Sequence, residues 1–147
     1  MKKITPFLWF DNQAEEAANF YVSVFPNSKI LDKNPMAVTF DLDGQQLVAF
    51  NGGPSFKFTE AISLSVDCND QEEVDRLWDV LSNGGSPSQC GWLKDKYGLS
   101  WQIVPKQLRI LLSDPDRKKA DRVMQAMLKM KKIIISDLQK AYDNNNG

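Results

Sequence analysis

The sequence contains no histidine in 147 residues, and that absence excludes more chemistry than any motif supplies. Without imidazole there is no Ser-His-Asp or Cys-His activation, no common zinc site and no ordinary proton shuttle near neutral pH. Any reaction would have to run on Asp, Glu, Lys, Tyr, Cys or backbone groups. The two cysteines, Cys68 and Cys90, are too few for a disulfide framework and have no metal-site spacing. Net charge is -1, from 18 basic and 19 acidic residues, so no bulk field favours nucleic acid or an anionic membrane. No apolar run approaches the roughly 20 residues of a membrane span. Met1-Lys2-Lys3 leads straight into Ile4-Thr5-Pro6, without the apolar core of a signal peptide. The expectation is a cytoplasmic protein with no nucleic-acid or membrane partner. A hydrophobic content of 42% suits one buried globular domain built from two half-domains.

What is present is an internal repeat. Glu15-Glu16-Ala17-Ala18-Asn19-Phe20-Tyr21 recurs 57 residues later as Glu72-Glu73-Val74-Asp75-Arg76-Leu77-Trp78. A strand-like run precedes each copy, Ile4 to Phe10 and then Ile62 to Val66. The repetition implies two similar modules packed together. Asn12 and Asp70 stand as N-caps, with Glu15 and Glu73 three residues on. The apolar stripes are Ala14, Ala17, Ala18, Tyr21 and Phe25 in the first helix, and Val74, Leu77, Trp78 and Leu81 in the second. Trp78 therefore belongs to the core. Met36 to Asp41 and Gln46 to Phe50 predict a hairpin turned at Asp43-Gly44. Gln89 to Lys94 and Leu99 to Val104 predict its counterpart around Tyr97-Gly98, at an offset of 54.

Past Pro105 the pattern turns helical. Ser113-Asp114-Pro115-Asp116 is a cap, followed by an apolar stripe of Val123, Met124, Met127, Leu128 and Met130 and a short helix from Ser136. The Asn-rich end is expected to be disordered. Module one then covers about 1–57, module two about 58–105 and the helical tail 106–147 of one domain.

Several blocks carry a family resemblance. They are Ile4-Thr5-Pro6-Phe7-Leu8-Trp9-Phe10, Glu15-Glu16-Ala17, Phe20-Tyr21, Asn51-Gly52-Gly53-Pro54, Phe56-Lys57-Phe58, Cys90 to Gly98, and Trp101-Gln102. Together they resemble the PhnB-like family of the vicinal oxygen chelate (glyoxalase, bleomycin resistance and dioxygenase) superfamily. The resemblance implies an α+β fold of two βαβββ modules forming a curved mixed sheet around a cleft, with C-terminal helices and a homodimer. Members often carry a 3-demethylubiquinone-9 3-methyltransferase label. The sequence lacks the Gly-x-Gly-x-Gly turn after a first strand that such a cofactor site would need. Relatives usually hold a Gly-rich stretch between the second and third strands, where this chain has only Leu31 to Met36.

Metal enzymes of the superfamily draw ligands from the first and last strands of each module. Those positions map onto Ile4, Val48, Ala61 and Gln102, of which Gln102 alone could ligate. No metal and no cofactor are expected. What remains is a candidate ligand cleft of Trp9, Phe50, Phe56, Trp92 and Trp101, with Asn51 and Gln102 as polar handles. The alternative for each aromatic is plain core between sheet and helix. Cys90 reads as a small buried hydrophobe in a strand, and Lys94 and Asp95 as a solvated pair by a turn. The leading expectation is a metal-free protein binding an apolar or aromatic small molecule. The alternatives are a metal-dependent lyase, isomerase or dioxygenase, and an interaction protein using its C-terminal helices.

Overall fold

A computed structural model describes residues 2–144. The chain forms two compact units, Met1–Phe58 and Thr59–Gly147. The first runs β1 (Phe7–Phe10), α1 (Ala14–Val24), β2 (Ser28–Lys33), β3 (Ala37–Leu42) and β4 (Gln45–Asn51). Its sheet has the order β1-β4-β3-β2, with β1 parallel to β4 and the other pairs antiparallel. The second repeats this plan with β5 (Ser63–Cys68), α2 (Gln71–Ser82), β6 (Ser86–Pro87), β7 (Trp92–Lys94) and β8 (Ser100–Pro105), in the order β5-β8-β7-β6. Three helices follow: α3 (Lys106–Leu112), α4 (Arg117–Met127) and α5 (Ile135–Asp143). The α+β fold of two βαβββ modules plus C-terminal helices is therefore present. Among the described residues, no helix is long and apolar enough to cross a membrane.

Alternation along the strands fixes which face each helix covers. In the first unit Leu8, Phe10, Val38, Phe40, Leu47 and Ala49 are buried with Ala14, Ala17, Ala18 and Tyr21 of α1. In the second, Leu93, Trp101 and Ile103 are buried with Val74, Leu77, Trp78 and Leu81 of α2. The opposite faces, away from the helices, carry the site candidates.

Local signals differ in how they are satisfied. Asp70 caps α2 as expected, its carboxylate accepting from the Glu73 N–H at 2.9 Å, and Glu73 reaches back to the Asn69 N–H. Asn12 does not cap α1. Gln13 occupies that position without a side-chain capping bond, and Asn51 of β4 accepts from the Ala14 N–H at 2.9 Å instead. The hairpin turn is Asp43-Gly44, both at positive φ (47° and 94°), the geometry of a two-residue connection. The β2–β3 connection is a built turn, because Asn34 Oδ1 accepts from the N–H groups of Met36 and Ala37.

The C-terminal helices belong to the second unit. Leu108, Val123, Ile133 and Leu138 form a buried cluster, with Val104, Met127, Met130 and Tyr142 packed on it. Met124 and Leu128 of the predicted stripe stay partly exposed. Residues 145–147, which include most of the Asn-rich end, lie outside the described residues.

Candidate functional site

In the first unit, parallel register sets Trp9 beside Phe50 and Phe7 beside Val48 on the face away from α1. The Trp9 and Phe50 rings meet edge to face at 5.4 Å, Trp9 and Phe56 at 4.9 Å, and Phe7 lies 6.2 Å from Phe50. Phe7 is 60% exposed and Phe56 65% exposed. A local arrangement fixes the indole at the centre. Trp9 Nε1 donates to the Gly53 carbonyl at 2.9 Å, and a Cβ on Gly52 would clash with the indole at its Cε2 and Cζ2. The loop is tied back by the Gly52 N–H to Phe10 and the Gly53 N–H to Asp11. Asn51-Gly52-Gly53-Pro54 is thus a cradle for Trp9, and glycine at position 52 is a steric requirement.

In the second unit, Trp92 pairs with Gln102, so both side chains share the face away from α2. Gln102 Nε2 donates to the Ser63 hydroxyl at 3.0 Å. Lys94, also on this face, forms an ion pair with Glu60. The Lys94 ammonium, helped by the backbone N–H of Glu60, holds the Glu60 carboxyl below its usual range. An open concavity of about 530 Å3 is lined by Glu60, Ser86, Ser88, Trp92, Lys94 and Ser100.

Trp9, Phe50 and Phe56 therefore come together, and Trp92 and Gln102 do as well, but one expected handle, Asn51, and one expected aromatic, Trp101, point elsewhere. Asn51 lies on the α1 side of the first sheet, where it holds the Ala14 N–H and donates to the Pro35 carbonyl. Trp101 is 2% exposed and on the α2 side of the second sheet, because adjacent strand residues face opposite ways and Gln102 takes the other face. Its Nε1 donates to Asp95 Oδ2 at 2.9 Å. Asp95 itself corrects the reading of a solvated Lys94–Asp95 pair. It is 2% exposed, and its Oδ1 accepts from the Tyr97 and Leu99 N–H groups. Cys90 is not in a strand. It sits in the turn before β7 at a φ of 58°, half-buried, its N–H bonded to the Met130 carbonyl. Cys68 is the buried thiol, pushed up to about 12 by burial and by the Glu73 carboxylate.

Phe7 and Ser100 were missed. Phe7 was legible, since it stands two residues before Trp9 and a strand repeats its face every second residue. Ser100 was not, because a serine next to Trp101 gives no signal until register puts it opposite Lys94.

The superfamily's metal does not fit these residues. Ile4 is exposed ahead of β1, Val48 is buried in β4, Ala61 precedes β5, and Gln102 alone offers a ligand atom, its amide oxygen, while its amide nitrogen donates to Ser63. Three of the four positions are hydrocarbon, and one neutral amide oxygen falls short of the three or more ligands, usually charged or imidazole, that a divalent cation needs. Among the described residues, no three His, Cys, Asp or Glu side chains gather in metal-binding positions.

The family model described as 3-demethylubiquinone-9 3-methyltransferase matches residues 2–104. A PhnB protein from Bacillus cereus is similar at 36% identity with a TM-score of 0.65, over 71% of this chain and 99% of that one. PA1353 from Pseudomonas aeruginosa is similar at 19% identity with a TM-score of 0.59, over 71% and 98%. A protein from Alicyclobacillus acidocaldarius described as glyoxalase/bleomycin resistance protein/dioxygenase is similar at 17% identity with a TM-score of 0.44, over 67% and 88%. None of the curated proteins matches the chain. On the matches spanning its two modules, the chain belongs to the PhnB-like family, whose model carries the 3-demethylubiquinone-9 3-methyltransferase description.

Proposed function

We propose that the protein binds a flat, apolar or aromatic small molecule on the helix-free face of its first sheet, without transforming it. The observation that supports this reading most directly is the Phe7, Trp9, Phe50 and Phe56 group. Trp9 meets Phe50 and Phe56 edge to face, its indole is pinned by the Gly53 carbonyl, and Phe7 and Phe56 stand exposed. A planar ligand would complete that packing, and aromatic contacts of this kind are worth about 0.5–1.5 kcal/mol beyond the area they bury. Methyl transfer, which the family description names, finds less support. β1 enters α1 through Asp11-Asn12-Gln13, with no glycine to bring backbone against a cofactor phosphate or carboxylate.

Native mass spectrometry of freshly purified protein tests the reading first. A retained organic ligand of a few hundred daltons is expected, on the homodimer that the family resemblance implies. Titration with 1-naphthol then locates the site. Trp9→Ala should weaken it by about tenfold or more, the equivalent of one aromatic contact plus its buried area. Unchanged affinity in a folded Trp9→Ala variant would remove the first sheet as the site.

A further inference from the structure

The concavity of the second unit has a chemistry of its own. At about 530 Å3 it lies within the size range of small-molecule pockets. Its floor is Ser100, 1% exposed, which register places opposite Lys94 on one side and Ser63 on the other. The three side chains therefore share the face away from α2. The Ser63 hydroxyl is engaged by Gln102, but Ser100 Oγ has no hydrogen-bond partner among the described residues. A buried hydroxyl can donate one bond and accept two, and leaving it unpaired is a standing cost to the fold. It points to an occupant that supplies the partner.

Charge narrows what that occupant can be. Lys94 and Glu60 pair at the rim, so the mouth holds both signs and no net charge. An anion would have to displace Glu60 from the ammonium, and a cation would have to displace Lys94 from the carboxylate. A neutral molecule leaves the pair intact. It can use the carboxylate's unoccupied lone pairs as acceptors and the ammonium's remaining N–H groups as donors. Ser86 and Ser88 add two hydroxyls of either sense, and the half-buried Trp92 ring gives one flat apolar wall.

We infer that this concavity binds a neutral, hydroxyl-rich small molecule with one apolar face, the chemistry of a sugar. Ser100 bonds it at the floor, the Lys94–Glu60 pair holds it at the rim, and Trp92 packs against its C–H face. The inference rests on the second unit alone, so it does not depend on aromatic binding in the first.

The test is titration of the full-length protein with D-glucose, D-galactose and D-ribose, read by saturation-transfer NMR, with sodium acetate and ethylammonium chloride as charged competitors. At least one sugar should saturate, with an affinity that holds from about 50 to about 500 mM salt, because no charge is neutralised. Ser100→Ala should weaken it about tenfold, the value of one buried hydrogen bond. The same variant should leave the thermal midpoint of the free protein unchanged or higher, since the hydroxyl makes no bond there. That combination separates a binding role from a structural one. Trp92→Leu, shown to be folded by circular dichroism, should abolish the signal. Absence of saturation by any of the three sugars, displacement by acetate or ethylammonium, or full affinity in Ser100→Ala would each overturn the inference. The sugars carry no aromatic ring, so this failure would leave the 1-naphthol result untouched, and the reverse holds as well.

Discussion

Asp95 ties together the turn and the strand beside the candidate site of the second unit. One oxygen takes the Tyr97 and Leu99 N–H groups and closes the β7–β8 turn, while the other holds the Trp101 indole. The Asp-x-Tyr-Gly-Leu-Ser-Trp block, which carries part of the family resemblance, is in this respect a folding motif. Asp95→Ala would strand three donors in a buried place, and unsatisfied buried groups cost about 1–3 kcal/mol each before relaxation. The expected loss is about 3 kcal/mol, seen as a lower urea midpoint with an unchanged slope. Asp95→Asn, which keeps one acceptor oxygen, should fall between the two. Equal stability of Asp95→Ala and the parent would mean that the turn is held elsewhere. Aromatic content and strand position were readable for Trp9, Phe50 and Trp92. Whether a strand residue faces the helix or the open side depends on register, which shifts every side chain to the other face with a one-residue slip. Trp101 and Asn51 fell on the helix side for that reason.

Caps and turns separate local from distant information at the scale of elements. α2 was legible because its cap is four residues of contiguous sequence, Asp70 to Glu73. The stripe of α1 was legible too, but its cap was not, because the acceptor for Ala14 comes from Asn51, 37 residues away in β4. The last helix depends on similar long-range ties. Tyr142 donates to Asp114 Oδ2 at 2.6 Å, which fastens α5 to the turn before α4. That bond, with the Asp116 N–H, holds the Asp114 carboxyl below its usual range, and the same carboxylate holds the Tyr142 phenol above its own. For Asp114 the folded pKa is depressed, so its contribution is present above the unfolded carboxylate value and is lost as pH falls through the folded one. For Tyr142 the folded pKa is raised, so its contribution is present below the unfolded phenol value and is lost as pH rises through the folded one. Docking of α5 should therefore be firmest between about pH 4 and about pH 10, the unperturbed values of the two groups. Amide exchange of α5 across that range should loosen at both ends, and Tyr142→Phe should flatten both limbs. A Tyr142→Phe profile identical to the parent's would show that the bond does not hold the helix.

At the scale of the whole molecule, the family match and the three-dimensional structure divide the chain differently. The family model stops at residue 104, and the Bacillus cereus relative aligns over 99% of its own length with 71% of this chain. The helices beyond Pro105 are an addition to what is shared, and the repeat that made the two modules legible says nothing about them. Their apolar stripe predicted helix but not its destination. In the structure the addition is built into the second unit. The Cys90 and Gly91 N–H groups donate to the carbonyls of Met130 and Lys131, and a Cβ on Gly91 would press on the Ile133 side chain. The Gln71 amide of α2 spans the same segment, donating to the Ile133 carbonyl and accepting from the Ile135 N–H. Lys132 pairs with Asp75, whose carboxyl is held low first by Gln71 and then by Lys132. Removal of residues 106–147 would therefore uncover the apolar flank at Val104 and release backbone donors at Cys90 and Gly91. The family's shared core argues that such a fragment still folds, and the ties argue that it folds less stably, by about 2–4 kcal/mol for the lost contacts and bonds. Urea unfolding followed through Trp92 and its neighbours should show an earlier midpoint, and the fragment should bind more anilinonaphthalene sulfonate than the full chain does. A fragment with the full-length midpoint would mean that the helices rest on the second unit without supporting it, leaving their exposed residues Ile110 and Leu128 as the place to seek their role.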